Sequence, residues 1–220
     1  MGKRGVKPQR SMPIWSADLA YAVGLLVTDG SLSNDGRHIV LVSKDIEQLE
    51  NFKNALGLTN KIGVSRSGYT GIMTTRVQFG DVMLYQFLIS IGLTPNKTKT
   101  IGRVEIPPEY FFDFLRGSFD GDGCTYSYWD PRWKSSFMFY TSFISASEKH
   151  IFWLQQEIFS RLHTLGHITK QKSKNTFQLK YAKADSLKLL RSMYRSNDAL
   201  CLSRKRLKIQ TMLSIVGEHL

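Results

Sequence analysis

Two short segments carry the residues best suited to do chemistry. AVGLLVTDG (22–30) and LRGSFDGDG (115–123) align at an offset of 93 residues, pairing Gly24 with Gly117, Leu26 with Phe119, Asp29 with Asp122 and Gly30 with Gly123. Each reads as a helix closed by Asp-Gly. The glycine suits a left-handed C-cap. The aspartate does not suit its place, because a helix C-terminus carries partial negative charge and favours cations. Small residues also recur four apart: Ala20, Gly24 and Thr28 in one helix, Gly117 and Gly121 in the other. That spacing puts them on one stripe, so the two helices can approach closely along it. A helical glycine costs about 1 kcal/mol relative to alanine, which close packing would offset. The seam would set Asp29 and Asp122 side by side, with Asp120 nearby. Converging carboxylates repel unless protonated or neutralised by a metal. An all-oxygen donor set suits Mg²⁺, with phosphate and water completing its shell, and the expected chemistry is metal-dependent phosphodiester cleavage. One Asp-Gly alone would be an ordinary turn; two copies in matched repeats favour the site.

The elements that must position these aspartates also repeat. In the first half, Ser16 is a plausible N-cap and Asp18 suits the first turn of a helix ending at Gly30. RHIVLVS (37–43) reads as a strand, and Ile46, Leu49, Phe52 and Leu56 share one helical face. IMTTRVQFG (72–80) alternates, with Met73, Val77 and Phe79 opposite Thr74, Arg76 and Gln78, and Asp81 to Ile91 is apolar at helical spacing. In the second half, Pro108 can start a helix running to Gly123. Phe137 to Ser145 reads as a strand, and Ile151, Leu154, Ile158, Leu162 and Leu165 form a helical face. TFQLKY (176–181) alternates again, Phe177, Leu179 and Tyr181 opposite Thr176, Gln178 and Lys180. The fold class is therefore α+β: two pseudo-symmetric αββαββα halves with antiparallel sheets, the duplicated helices at the centre. The expected division is a basic arm (1–14), a first half (15–93), a linker (94–107), a second half (108–208) and a C-terminal tail (209–220). One face of each sheet packs on helices and the other is left free. The free faces carry Arg, Lys, Gln and Thr, side chains that hydrogen-bond base edges and phosphates.

Charge narrows the partner. The 220 residues include 30 Lys and Arg against 18 Asp and Glu, a net +12. The excess is divided +5 and +7 between residues 1–107 and 108–220, so it belongs to both halves. A folded basic protein points to a polyanion partner. The longest apolar run, Leu19 to Val27, is nine residues, where a membrane span needs about 20. No signal peptide is visible after the basic MGKRGVKPQR arm. Two cysteines, Cys124 and Cys201, make neither a disulfide scaffold nor a zinc finger, and point to a reducing intracellular compartment, whether prokaryotic cytoplasm or organelle matrix.

AVGLLVTDG and FLRGSFDGDG resemble the two signature helices of the LAGLIDADG homing endonuclease family in its monomeric, two-motif form. The resemblance extends from about Trp15 to Lys208, and GLTPNKTKT and LSRKRLK are of the kind that follow each half in this family. It implies that Asp29 and Asp122 bind metal, with Thr28 and Gly121 offering main-chain carbonyls. It implies two or more Mg²⁺ ions, with Ca²⁺ supporting binding without cleavage. A sheet Lys or Gln sits near the scissile phosphates in this family, which points to Gln78 and Lys180 at matched strand positions: Lys180 to stabilise charge on the phosphate, Gln78 to position water. The implied reaction is hydrolysis of both strands of a long double-stranded DNA site. Thr74, Arg76, Gln78, Thr176, Gln178 and Lys180 would face the DNA, joined by Lys61, Ser65, Arg66, Lys170 and Lys172 from neighbouring strands and by Arg132 and Lys134 of the 126–136 loop. Val27, Arg116 and Ser118 depart from the usual pattern, but neither aspartate is lost. An intron maturase that binds its host intron RNA is the alternative on the same scaffold, and a DNA-binding regulator descended from such nucleases is a third reading.

Weaker signals fall away. DGDGCT (120–125) breaks the calcium-loop pattern at Cys124. His163 and His167 are four apart but separated by Gly166, so they read as surface or cap residues rather than zinc ligands. Cys124 has no neighbouring partner and reads as a packed residue.

Overall fold

Ser16 starts the first helix as expected: its hydroxyl accepts a hydrogen bond from the Leu19 amide at 3.1 Å, and α1 runs over Ala17–Asp29. The structure, a computed structural model, describes residues 12–66, 71, 73–171 and 175–220. The basic residues Lys3, Arg4, Lys7 and Arg10 lie outside them, as do Lys172 and Lys174. From α1 the chain passes straight into β1 (Gly30–Leu32), then β2 (His38–Ser43), α2 (Ile46–Leu56), β3 (Gly63–Arg66), β4 (Met73–Gly80) and α3 (Val82–Ser90). Two single 3₁₀ turns follow, Lys97–Lys99 and Pro108–Tyr110. The series then repeats as α4 (Phe111–Asp122), β5 (Cys124–Trp129), β6 (Phe137–Ser145), α5 (Glu148–Leu162), β7 (His167–Gln171), β8 (Thr176–Tyr181) and α6 (Lys183–Met193), closed by α7 (Ser203–Ser214).

The strands form two four-stranded antiparallel sheets of the same order, β1-β2-β4-β3 and β5-β6-β8-β7. The α+β fold of two αββαββα halves is thus observed. Each sheet turns one face to the helices: Ile39, Leu41, Val77 and Phe79 are buried in the first, Phe139, Phe143, Phe177, Leu179 and Tyr181 in the second. Both faces feed one continuous core that includes α1 and α4. α7 crosses the boundary drawn at residue 208, and Ile209, Met212 and Leu213 of the expected tail are buried core residues.

The centre is built backbone against backbone. A Cβ on Gly24 would lie 2.6 Å from the Ser118 amide nitrogen and would collide with the Phe114 carbonyl oxygen. One on Gly117 would collide with the Tyr21 carbonyl oxygen. These contacts are the reason for glycine inside both helices; no larger residue fits.

The caps differ from expectation. Gly30 and Gly123 are extended (φ −93°, ψ 160° and φ −80°, ψ 155°), not left-handed, because each helix leads directly into a strand. Glycine is needed there for space: a Cβ would lie 2.6 Å from the Cα of Leu26 in one case and 2.7 Å from that of Phe119 in the other. Pro108 opens a 3₁₀ turn, and α4 proper begins at Phe111. His163, with φ 53°, is the left-handed residue that ends α5.

Candidate active site at the helix pair

The glycine seam delivers both aspartates to one place. At its lower end Gly121 faces Thr28, and a Cβ on Gly121 would strike the Thr28 hydroxyl and lie 2.8 Å from Asp29 Oδ2. Asp29 is half-buried and Asp122 exposed. Both carboxyls are nonetheless pushed above the ordinary carboxylate range, chiefly by partial burial, and Asp122 also by repulsion from Asp29. Negative charge here is therefore under-compensated by the protein, which is the condition a cation relieves.

Three residues oppose that charge. Gln48, the third residue of α2, donates from Nε2 to Asp29 Oδ2 at 2.7 Å, and its Oε1 accepts from Ser43 Oγ at 2.9 Å. The serine thus fixes which end of the amide faces the carboxylate. Lys97, almost fully buried, donates to the Gly30 carbonyl at 2.5 Å. Lys205 of α7 donates to the carbonyls of Phe119, Asp120 and Gly123 at 2.5, 2.8 and 2.7 Å, with Gly121 at 3.3 Å. Each lysine caps the C-terminus of one signature helix, placing a cation where the dipole wants one. Burial lowers both ammonium groups to about 8, while the nearby carboxylates hold them up. Sequence reading missed Gln48, Lys97 and Lys205 as functional residues. The available signal was the pair of basic motifs, GLTPNKTKT and LSRKRLK, in matched positions after each half.

The donor set tests whether a metal fits. Among the described residues no group of three or more His, Cys, Asp or Glu stands together. Two carboxylates remain, an oxygen set that leaves most positions to water and phosphate, as Mg²⁺ prefers. The Thr28 hydroxyl is turned back onto its own helix, donating to the Leu25 carbonyl at 3.0 Å. A partly open pocket of about 60 Å³ adjoins Asp122, lined also by Thr28, Thr98, His150 and by Ser118, whose buried Oγ has no hydrogen-bond partner among the described residues. That volume and polarity accommodate ordered water. Asp120 faces the other way. Its Oδ2 accepts from the Tyr21 hydroxyl and the Leu202 amide, both at 2.8 Å, and burial raises its carboxyl to about 6.

The sheet residues separate into two groups. Antiparallel partners directly opposite share a face. Gln78 pairs with Val40 and Arg76 with Val42 and Gly63, and both side chains line an open cleft with Lys61 and His38. Thr74 stands opposite Ser65, and Arg66 opposite Met73. In the second sheet Lys180 pairs with Ser142 and His167, and Gln178 with Ile144 and Thr169. Thr176 donates to Gln171 Oε1 at 3.4 Å. Gln78 and Lys180 occupy the matched positions expected of them, but the groups that touch Asp29 are Gln48 and Thr28. Lys180 instead donates to the Tyr126 hydroxyl at 2.8 Å. Lys170 departs from expectation: it pairs with buried Phe177 and lies 5.2 Å over that ring, on the helix-facing side of the sheet. The 126–136 stretch is a strand to Trp129 followed by a short turn, where exposed Arg132 is held by Asp130 at 3.0 Å and Lys134 is exposed.

No protein-family model matches the sequence, and no curated protein matches it. Solved structures do. The homing endonuclease I-WcaI bound to its DNA recognition sequence superposes with a TM-score of 0.60 at 14% identity, over 94% of this chain and 95% of that one. I-DmoI in complex with DNA and Mn gives 0.54 at 14% identity, over 82% and 98%. Full-length DUF199/WhiA from Thermatoga maritima gives 0.59 at 15% identity; 94% of this chain is covered but only 62% of that one. Among the described residues no helix is long and apolar enough to cross a membrane. The architecture is the LAGLIDADG fold of the homing endonucleases, with both repeats in one polypeptide.

Proposed function

We propose that the chain is a site-specific endonuclease that hydrolyses both strands of a long double-stranded DNA target with divalent metal, Mg²⁺ foremost. The observation that carries this reading is the convergence of Asp29 and Asp122 at the seam, both with raised carboxyl groups and only partly compensated charge. Asp29 and Asp122 would hold the metal. When bound, it supplies Lewis-acid activation of water and stabilisation of the leaving oxygen. Gln48 orients the Asp29 carboxylate, as outer-shell partners do. Lys97 and Lys205 anchor the two helix ends and keep positive charge beside the position a scissile phosphate would take. The polar sheet faces, with Thr74, Arg76 and Gln78 on one and Gln178 and Lys180 on the other, would lie along the duplex. The net +12 supplies the salt-dependent attraction to phosphates. Gln78 and Lys180 are assigned to DNA contact.

The test is a cleavage selection on a randomised duplex library with Mg²⁺. The parent protein is expected to cut a rare site. Asp29→Asn and Asp122→Asn proteins are expected to bind that site, with Ca²⁺ as well as Mg²⁺, and leave it intact. Cutting by both variants would refute the assignment of the metal site. Binding without cutting by the parent would leave a DNA-binding protein.

A further inference from the structure

Each signature helix is closed by a lysine carried on a segment outside it, and each of those segments is held by the other half. α7 carries Lys205. Its N-cap is Leu202, which brings no capping side chain. The cap comes from two other helices instead. Asp120 of α4 accepts from the Leu202 amide at 2.8 Å, and Glu47 of α2 accepts from the Ser203 amide at 3.0 Å and from the Ser203 hydroxyl. Asn51, one turn further along α2, donates to the Cys201 carbonyl at 2.9 Å. Arg204 donates to Asp45, the N-cap of α2, at 2.7 Å. The first half thus grips residues 201–204, immediately before the lysine that closes the helix of the second half.

Lys97 is placed the same way in reverse. It opens the 3₁₀ turn Lys97–Lys99, and the Ile101 amide donates back to the Lys97 carbonyl at 2.8 Å. Ser147, the N-cap of α5, donates its hydroxyl to the Ile101 carbonyl. His150 of the same first turn donates from Nδ1 to the Gly102 carbonyl at 2.8 Å. Second-half groups therefore hold the segment whose lysine closes α1.

We propose that Glu47 and Ser147 are crossed positioning residues, each fixing the segment whose lysine closes the signature helix of the opposite half. The consequence for strand cutting rests on the function proposed above; the placement of the lysines does not. An ammonium taken out of water is costly unless its acceptors are held against it, and a lysine stem is flexible enough to swing away. Lys97 is only 5% exposed and Lys205 is half-buried. Both seats therefore depend on the flanking main chain staying in place. A carboxylate at a helix N-terminus meets amides with no partner inside the helix, and the positive end of its dipole. Glu47 thereby sets where α7 begins, and Lys205 lies two residues beyond the serine it holds. Glu47 also precedes Gln48, which grips Asp29, so one turn of α2 serves both helix ends. The Arg204–Asp45 pair, largely exposed on the arginine side, adds little. Neither half completes its own helix end: each needs the start of α2 or α5 from the other.

The experiment compares the whole protein with its Glu47→Ala and Ser147→Gly variants. Glycine is tolerated at an N-cap, so α5 is kept while the hydroxyl is lost. Asn51→Ala and His150→Ala remove the companion contacts and replace either variant that fails to fold. Lysines are labelled briefly with acetic anhydride and read by mass spectrometry, which requires no cutting. Glu47→Ala is expected to speed labelling of Lys205 about fivefold, the worth of a helix cap, and to leave Lys97 protected. Ser147→Gly should do the reverse. Unchanged labelling, or both lysines exposed together in either variant, would overturn the proposal. On a cleavable duplex with Mg²⁺, Glu47→Ala should retard one strand about fivefold relative to the other, and Ser147→Gly the opposite strand. A merely structural role would slow both strands alike. Equal slowing, or the same strand retarded by both variants, would overturn the crossed assignment. A parent that cuts no duplex would remove the nuclease reading, and labelling alone would then decide the crossed placement.

Discussion

Asp29 and Asp122 end equivalent helices, yet their surroundings are not equivalent. Asp29 is half-buried and gripped by Gln48, which Ser43 orients in turn. Asp122 is exposed and, among the described residues, accepts no hydrogen bond. The third residue of α5, in the place of Gln48, is His150, and its Nδ1 is spent on the Gly102 carbonyl at 2.8 Å. The halves share a backbone plan but not a polar shell. One carboxylate is preorganised and the other is free to adjust, so a metal shared between them, as proposed, would meet one rigid and one adaptable ligand.

Four changes would break or sharpen that contrast. The largest effect is expected from the proposed metal ligands: Asp29→Asn and Asp122→Asn should each reduce cutting to background despite their different surroundings. Gln48→Ala should raise the Mg²⁺ concentration needed for half-maximal cutting by about 10–100-fold, as loss of an outer-shell partner does. His150→Ala should shift it far less; equal shifts would mean that the halves are alike after all. Gly121→Ala should destabilise the fold by about 1–3 kcal/mol in urea unfolding, because the added methyl meets Thr28 and Asp29, and Thr28→Gly in the same chain should recover only part of that loss, since Asp29 still meets the methyl and a helical glycine costs about 1 kcal/mol. The smallest effect concerns pH. Burial depresses His150 below the ordinary histidine range. A depressed folded value means that its contribution is present above about pH 6.5 and lost as pH falls through the folded value. His150→Gln should therefore flatten the acid side of the stability curve, and a curve of unchanged slope would assign the acid sensitivity elsewhere.

Much of this was legible in the sequence because backbone contact leaves a mark. Gly24 and Gly117 must be glycine, and their spacing from Asp29 and Asp122 must match, so the 93-residue offset survives as a pattern. Strand alternation likewise gave the correct face for Gln78 and Lys180, though not their distance from the helix ends, which depends on how far each strand runs past the seam. Lys97 and Lys205 were hidden for the opposite reason. A lysine in a basic run reads as surface, and only tertiary structure shows an ammonium buried against helix-end carbonyls. Gln48 lies beside Leu49 and Phe52 on α2, and a polar residue next to an apolar helical face carries no periodic mark of its own. Lys170 was misplaced because a charge in an edge strand can stand on either face, and the pairing with Phe177 decides which.

The seam between α1 and α4 also behaves as a gauge. Side chains can repack to absorb a change, but a main-chain carbonyl against a glycine Cα has no such slack. The separation of the two carboxylates is written in the backbone, and under the proposed function it would set the stagger between two strand breaks. For an endonuclease of the proposed kind, sequence drift on the sheets would alter which DNA is recognised without altering where, relative to the centre, it is broken.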